Sequence, residues 1–473
     1  MRIGPFSVAS VRRRRALAAL ALGLSLAGSP VAARAAETLS HGEVLHLGAR
    51  TGHLAIPEGF DALQRRSREQ AVDLLLDGLR QRPFLPPPAW VDELPETLTG
   101  KTDAERQAYF ARRSAQQREL QSWWYLEMLA TPSPLTERLV FFWHNHFTSS
   151  LSKVNSAQMM YRQQALFRQA GTSDFGALLA GIVRDPAMLI YLDNNRNVAR
   201  APNENLAREL MELFTLGIGH YGEQDVKEVA RALTGYTVDG ATESFRFDQR
   251  NHDSGQKTIL GQTGRFTGDD VARILLNHPK TAELVVTKLW REFVSARPDP
   301  AEVRRLAEIF REGRFRMRPL LRALFLSDAF WSPANRAGLI KAPHEFLVHT
   351  VRHLGLPIRE SLNLPSQGRA MGLDLLNPPT VKGWPGHFAW IGTTSLPARQ
   401  RFVQTAVSIW RAEVAPGLFG VPANRLPRID ARQLDMLNAA YLTVGPAYVQ
   451  PAAPLELSAA LRAVLLDAGY QTK

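Results

Sequence analysis

The sequence has no cysteine in 473 residues. That absence excludes disulfides, thiolate zinc sites, iron–sulfur clusters and cysteine nucleophiles together, so a metal would have to be held by His, Asp, Glu or backbone oxygens. Long apolar runs are scarce as well. The run Ala16–Leu26 is far shorter than the roughly 20 residues that span a bilayer, and no later stretch is apolar for as long, so no transmembrane helix is expected in the mature chain. Also missing are a Walker loop, a Gly-x-Ser-x-Gly elbow, a His-Glu-x-x-His pair and a dinucleotide fingerprint at a strand-to-helix junction, which disfavours nucleotide use and the serine-hydrolase mechanism.

What is present is ample core material, 45% hydrophobic against 22% charged residues, which sets the chain apart from disordered and fibrous sequences. The net charge of +12 suggests a nucleic-acid partner only until residues 1–35 are set aside. They hold six arginines and no acid; 57 bases less those 6 leaves 51 against 45 acids, a small surplus with no polybasic run, so nucleic-acid binding is not expected. The same segment has the three parts of a signal peptide: arginines at Arg12–Arg15, the apolar run, and a small-residue site at Ala33-Arg34-Ala35. Adjacent arginines before Ala16-Leu17 fit a twin-arginine signal with part of its flanking pattern missing, so the expected location is the periplasm or cell envelope.

Downstream the hydrophobic period is helical. Ser133-Pro134 reads as an N-cap followed by proline at the first helical position, opening a helix towards His146. Further helical patterns cover about 204–216, 223–233, 269–276, 281–293, 300–310, 318–326, 343–354, 399–412 and 456–466. Only the stretch near 236–262 departs, with Phe245 and Phe247 alternating around Arg246 ahead of the turn residues Asn251, Asp253, Ser254 and Gly255, the pattern of a small β-hairpin. The expected fold is mainly α, an extended multi-helix body with that hairpin inserted. Its parts are a signal peptide at 1–35, an N-terminal helical segment at 36–130, a core at 131–400 and a C-terminal helical tail at 401–473.

Three clusters offer chemistry. On a helix from Glu204 to Leu216, the polar residues Glu204, Arg208, Glu209 and Glu212 share one face opposite Leu206, Leu210 and Phe214. That face is either a solvated ion-pair ladder or the wall of a cleft whose carboxylates bind a divalent cation or act as acid and base. His144 and His146 are the partners such a cation would need. In a continuous helix they point about 200° apart and cannot share an ion, whereas an unwound chain returns both to one side. His252 and Asp253 form either a general base with its orienting carboxylate or a simple Asx turn. In the glycine-rich stretch near 372–397, Lys382, Trp384 and Trp390 combine a cation with aromatic surfaces that either stack on a sugar or pack the loop onto the body.

The ordered set Glu137–Phe147, Asp185–Met188, Pro202–Gly217, Ala232–Gly235, His252-Asp253 and Val381–Gly386 resembles a large bacterial family catalogued as domain of unknown function number 1800, with the likeness running from about Leu45 to Arg401. The stretch Leu45–His53 departs from that family's arginine-rich opening. The resemblance implies an exported, mostly helical protein with no established activity. It also implies, by association alone, a partnership with another exported, sulfatase-like protein. Three functions are carried forward. The first is a metal-assisted hydrolase with His144, His146, Glu204 and Glu212 on the ion, His252, Asp253, Arg208 and Glu209 catalytic. The second is an accessory or scaffold protein, and the third is a carbohydrate-binding protein using Lys382, Trp384 and Trp390.

Overall fold

The computed structural model describes residues 38–52, 57–359, 362–419, 422, 424, 426–442, 444, 446–447 and 454–473. The expected signal peptide lies outside them. Capping boxes open the first long helices. Ser40, Ser67 and Thr102 each accept from the backbone N–H three residues on, while Glu43, Gln70 and Glu105 reach back to the cap. They start α1 (His41–Thr51), α3 (Arg68–Asp77, after α2, Pro57–Gln64) and α4 (Asp103–Ala130). Helix α4 is charged and exposed over its first half. Its second half buries Leu120, Trp124, Tyr125 and Met128.

Helix α5 (Pro134–His146) has proline in its first turn, as its sequence predicts, although Ser133 bonds the Thr136 hydroxyl and not the helix backbone. Every residue of α5 except Asn145 is buried, so it is the central rod of the body, packed on α1, α4 and, after the short α6 (Leu151–Val154), on α7 (Ala157–Gln169). A buried bidentate pair ties these helices together: Arg168 donates to both Glu137 oxygens at 2.8 Å, and Trp124 Nε1 donates to the same carboxylate at 2.7 Å. Charge placed this deep is tolerated because each of these carboxylate oxygens has a donor.

Then follow α8 (Phe175–Val183), α9 (Pro186–Tyr191), α10 (Asn205–Glu209) and α11 (Glu223–Ala232). The expected hairpin is two. Strands β1 (Tyr236–Asp239) and β2 (Ser244–Phe247) pair with Tyr236 opposite Phe247, and β3 (Lys257–Ile259) pairs with β4 (Gln262–Gly264). The turn residues 251–255 join these two hairpins rather than closing one. Helices α12 (Gly268–Asn277), α13 (Pro279–Phe293), α14 (Pro300–Glu312), α15 (Met317–Phe325), α16 (Asp328–Trp331), α17 (Pro343–His353) and α18 (Leu364–Ala370) complete the middle of the chain. The rest comprises α19 (Ser395–Ile409), α20 (Ala415–Phe419), α21 (Ala431–Tyr441), α22 (Leu457–Leu466) and α23 (Ala468–Gln471), with a two-residue pair β5 (Arg428–Ile429) and β6 (Leu455–Glu456).

A single hydrophobic cluster runs from Leu39 to Tyr470 and draws residues from the helices along the whole described chain. The fold is therefore mainly α with small antiparallel hairpins. No helix among the described residues is long and apolar enough to cross a membrane.

Candidate functional site: a cation-lined cavity

The stretch that continues α10 is not regular α-helix. From Leu210 to Thr215 the chain widens into a π turn, with Leu216 N–H reaching back five residues to the Met211 carbonyl at 2.8 Å. Near the end of such a turn carbonyls are left without intrahelical donors. Two of them are taken from outside: the Leu213 carbonyl accepts from Lys288 Nζ at 2.8 Å, and the Phe214 carbonyl accepts from His146 Nε2 at 3.1 Å. Because His146 Nε2 must carry the proton, its Nδ1 is an acceptor, and Lys288 Nζ donates to it at 3.0 Å. Burial and then the Lys288 charge push the His146 imidazole well below its usual range, so it is neutral. Burial and then Arg291 pull the Lys288 amine down to about 8.

Lys288 lines a cavity of about 240 Å³, open to solvent on one side, between α5, α13, α17 and the loop 382–390. The loop is seated on the end of α5 by Asn145, whose Oδ1 accepts from Trp384 N–H at 2.7 Å. Gly383 is required there twice over: its φ is +81°, and a Cβ would lie 2.1 Å from Asn145 Oδ1. Trp384 stacks on Phe141 at 5.4 Å and 19°, and Phe141 lies 3.9 Å from His344, so one wall is aromatic. His387, also in the wall, holds φ at 48°, in the left-handed region that costs a side-chain-bearing residue energy and recurs at functional sites.

Charged groups make the floor. Arg138 from α5 pairs with both Glu292 of α13 and Glu345 of α17. Lys473 Nζ donates to Glu345 at 2.8 and 2.9 Å and to Glu292 at 3.1 Å. Burial raises the Glu292 carboxyl, but Lys473 and Arg138 beside it more than offset this and hold it below the usual carboxylate range. The lining is richer in cations than in acids. Lys288, Arg291, Lys382 and Lys473 face Glu292 and Glu345, and among the described residues Lys288, Arg291 and Lys382 form no ion pair.

Four of the sequence-derived candidates meet at this cavity: His146, Lys382, Trp384 and Trp390. The others do not. Helix α5 continues through both histidines, so His144 points away, caged at 0% exposure by Trp124, Phe167 and Trp384, with neither ring nitrogen hydrogen-bonded. Burial drops its pKa to about 3. The pair that could share one ion only in an unwound chain is therefore separated, and both nitrogens of His146 already have partners. Arg208 bridges Glu204 at 3.1 Å and Glu223 at 2.8 Å on the surface, the ion-pair ladder rather than the cleft wall. Glu212 accepts from the Tyr221 hydroxyl at 3.0 Å. Half-buried Glu209 is raised by burial and then by Glu212, against the opposing charge of Lys382.

His252 Nδ1 donates to the Thr234 carbonyl at 2.9 Å, whereas the Asp253 carboxylate accepts from Arg231 at 2.7 Å and from Gly255 N–H at 2.8 Å. Neighbours in sequence, they face different partners, and Asp253 makes the Asx turn. Among the described residues no group of three or more His, Asp or Glu side chains is placed to hold a metal ion. Sequence reasoning missed Arg138, Lys288, Arg291, Glu292, His344, Glu345, His387 and Lys473. Arg138 carried a usable signal, a cation directly before the apolar run Leu139–Trp143.

Fold and site together define a mainly helical protein with a solvent-open cavity walled by tryptophan and lined by cations. The family model described as "Protein of unknown function (DUF1800)" matches residues 46–472, nearly the whole chain, and the chain belongs to that family. No curated protein and no solved structure matches it.

Proposed function

We propose that this is an exported protein that binds a small organic acid, acidic sugars included, in the cavity between α5, α13, α17 and the loop 382–390. The observation that carries the reading is the imbalance of its lining: three cations without ion pairs, Lys288, Arg291 and Lys382, beside aromatic walls. A carboxylate entering there gains charge-assisted hydrogen bonds; Arg291 and Lys382 are exposed, so solvent screens their share to roughly 0.2–1 kcal/mol each, while the more buried Lys288 amine contributes more. The volume suits a ligand of about monosaccharide size, below the ~300–1,000 Å³ of sites for drug-sized molecules. Trp384 has one face covered by Phe141, so it acts as a wall more than as a sugar platform. This favours the ligand-binding reading over the metal-assisted hydrolase, because Lys382, Trp384 and Trp390 converge and the proposed metal ligands do not.

The test is calorimetric titration with D-glucuronate and lactate against the uncharged D-glucose and glycerol. Binding of acids but not of neutral counterparts, lost in the Arg291→Ala/Lys382→Ala double variant with the fold intact, supports the reading. Equal behaviour of acids and neutral compounds removes it.

A further inference from the structure

Lys288 has an environment that the binding of an acid does not by itself require. An amine without its third proton has two N–H bonds and one lone pair. The Lys288 nitrogen has two acceptors, the Leu213 carbonyl at 2.8 Å and His146 Nδ1 at 3.0 Å. The neutral amine therefore keeps both hydrogen bonds, and its lone pair is left for the cavity that Lys288 lines. No carboxylate pairs with Lys288 among the described residues, and the cation Arg291 stands on the same helix at i+3, on the same face. A half-buried lysine beside another cation and without a counter-ion is the arrangement that activates an amine as a nucleophile.

We propose that Lys288 is a nucleophilic amine that condenses with the carbonyl carbon of a small 2-oxo acid, whose carboxylate is held by Arg291 and Lys382. The proposal rests on the reading of the cavity as an acid-binding site and names the ligand class. In a 2-oxo acid the carboxylate is bonded directly to the carbonyl carbon, and Lys288 and Arg291 are spaced by one helical turn to take the two groups together. The lone pair of Lys288 adds to the carbonyl carbon and forms the C–N bond. The nitrogen gives up its two protons in the course of the reaction, and they leave with the carbonyl oxygen as one water, so that the product is a C=N imine with no change of oxidation state. His146 is a positioning residue here: its Nδ1 accepts one N–H bond and orients the amine.

The experiment is reductive trapping. The purified full chain is incubated with glyoxylate or pyruvate, reduced with sodium cyanoborohydride, and digested for peptide mass spectrometry. The expected result is one adduct per chain on Lys288, formed about tenfold or more faster than on surface lysines, whose free-amine fraction is far smaller near neutral pH. Arg291→Ala should slow labelling by oxo acids but not by the uncharged propionaldehyde. Lys288→Arg, which keeps donors for Leu213 and His146 and should leave thermal unfolding unchanged, should abolish the adduct. Labelling spread over surface lysines, or undiminished in Lys288→Arg, overturns the proposal. Lactate binding without any trapped oxo acid also overturns it and leaves the acid-binding reading standing; failure of lactate to bind removes both.

Discussion

Lys288 Nζ and His146 Nδ1 lie 3.0 Å apart, joining α13 to the end of α5 beneath the π turn that follows α10. The contact fixes the tautomer of the histidine, since the other ring nitrogen donates to Phe214. It also means that the His146 ring is spent on positioning. Replacing it removes an acceptor from a half-buried amine and a donor from a carbonyl. His146→Ala is expected to destabilise the fold by about 1–3 kcal/mol and to weaken acid binding, measured by urea unfolding and calorimetry.

The floor of the cavity responds differently. Glu345→Gln keeps the shape but leaves Arg138 and Lys473 with only Glu292 as carboxylate partner. Removing one partner of a buried charge cluster typically costs ~3–5 kcal/mol. A loss below ~1 kcal/mol in urea unfolding would show that the cluster is hydrated and loosely held.

Caged His144 gives the opposite sign. Its two ring nitrogens are buried without partners, so His144→Phe, which fills the aromatic cage without desolvated polar atoms, should be neutral or stabilising by up to about 1 kcal/mol at pH 8. A large loss on thermal unfolding would reveal a hydrogen-bond partner in the cage.

Acid should destabilise the protein through its buried histidines. The folded pKa of His144 is about 3 and those of His146, His344 and His349 lie well below the usual 6.5. The unfolded chain therefore binds more protons than the folded one across this interval. Stability is fully present above about pH 6.5, falls as pH drops towards the folded values, and each histidine contributes up to about 1.4 kcal/mol per pH unit. His144→Phe should flatten the slope of unfolding free energy against pH between 6 and 4 by about that amount, and an unchanged slope would contradict the assignment.

Sites outside the cavity serve as controls. Arg208→Ala and Asp253→Ala should both leave acid binding unchanged. Arg208→Ala removes surface ion pairs, a stability loss of ~1 kcal/mol or less, whereas Asp253→Ala also takes the nearest carboxylate from the buried Lys257 amine and should cost more, roughly 1–3 kcal/mol. Gly383→Ala, by contrast, should abolish binding, because its Cβ collides with Asn145 and displaces the loop that carries Lys382 and Trp384.

Much of the helical frame was legible in the sequence because strongly amphipathic patterns, such as α11 to α15, declare their period. Helix α7 was not, since it buries Gln158, Gln163, Gln164 and Arg168, and polar residues on a buried face erase the hydrophobic period. The hairpin region was located but undercounted. At the site, Lys382, Trp384 and Trp390 were found because a glycine-rich loop concentrates unusual residues. Lys288, Arg291 and Glu292 were hidden on an ordinary amphipathic helix, where nothing local separates a cavity-facing cation from a solvated one. His144 and His146 hinged on whether α5 unwinds, and Trp143, Phe147 and the capping contact at the Trp143 carbonyl keep it wound to its end.

The central claim is that unpaired cations make this cavity an acid-binding site. Its most direct measurement is calorimetric titration of the full chain with D-glucuronate and with D-glucose, in the native protein and in Arg291→Ala/Lys382→Ala. Saturable binding of the acid alone, abolished by the double substitution while thermal unfolding is unchanged, is the predicted result. Acid binding that survives removal of both cations would contradict it.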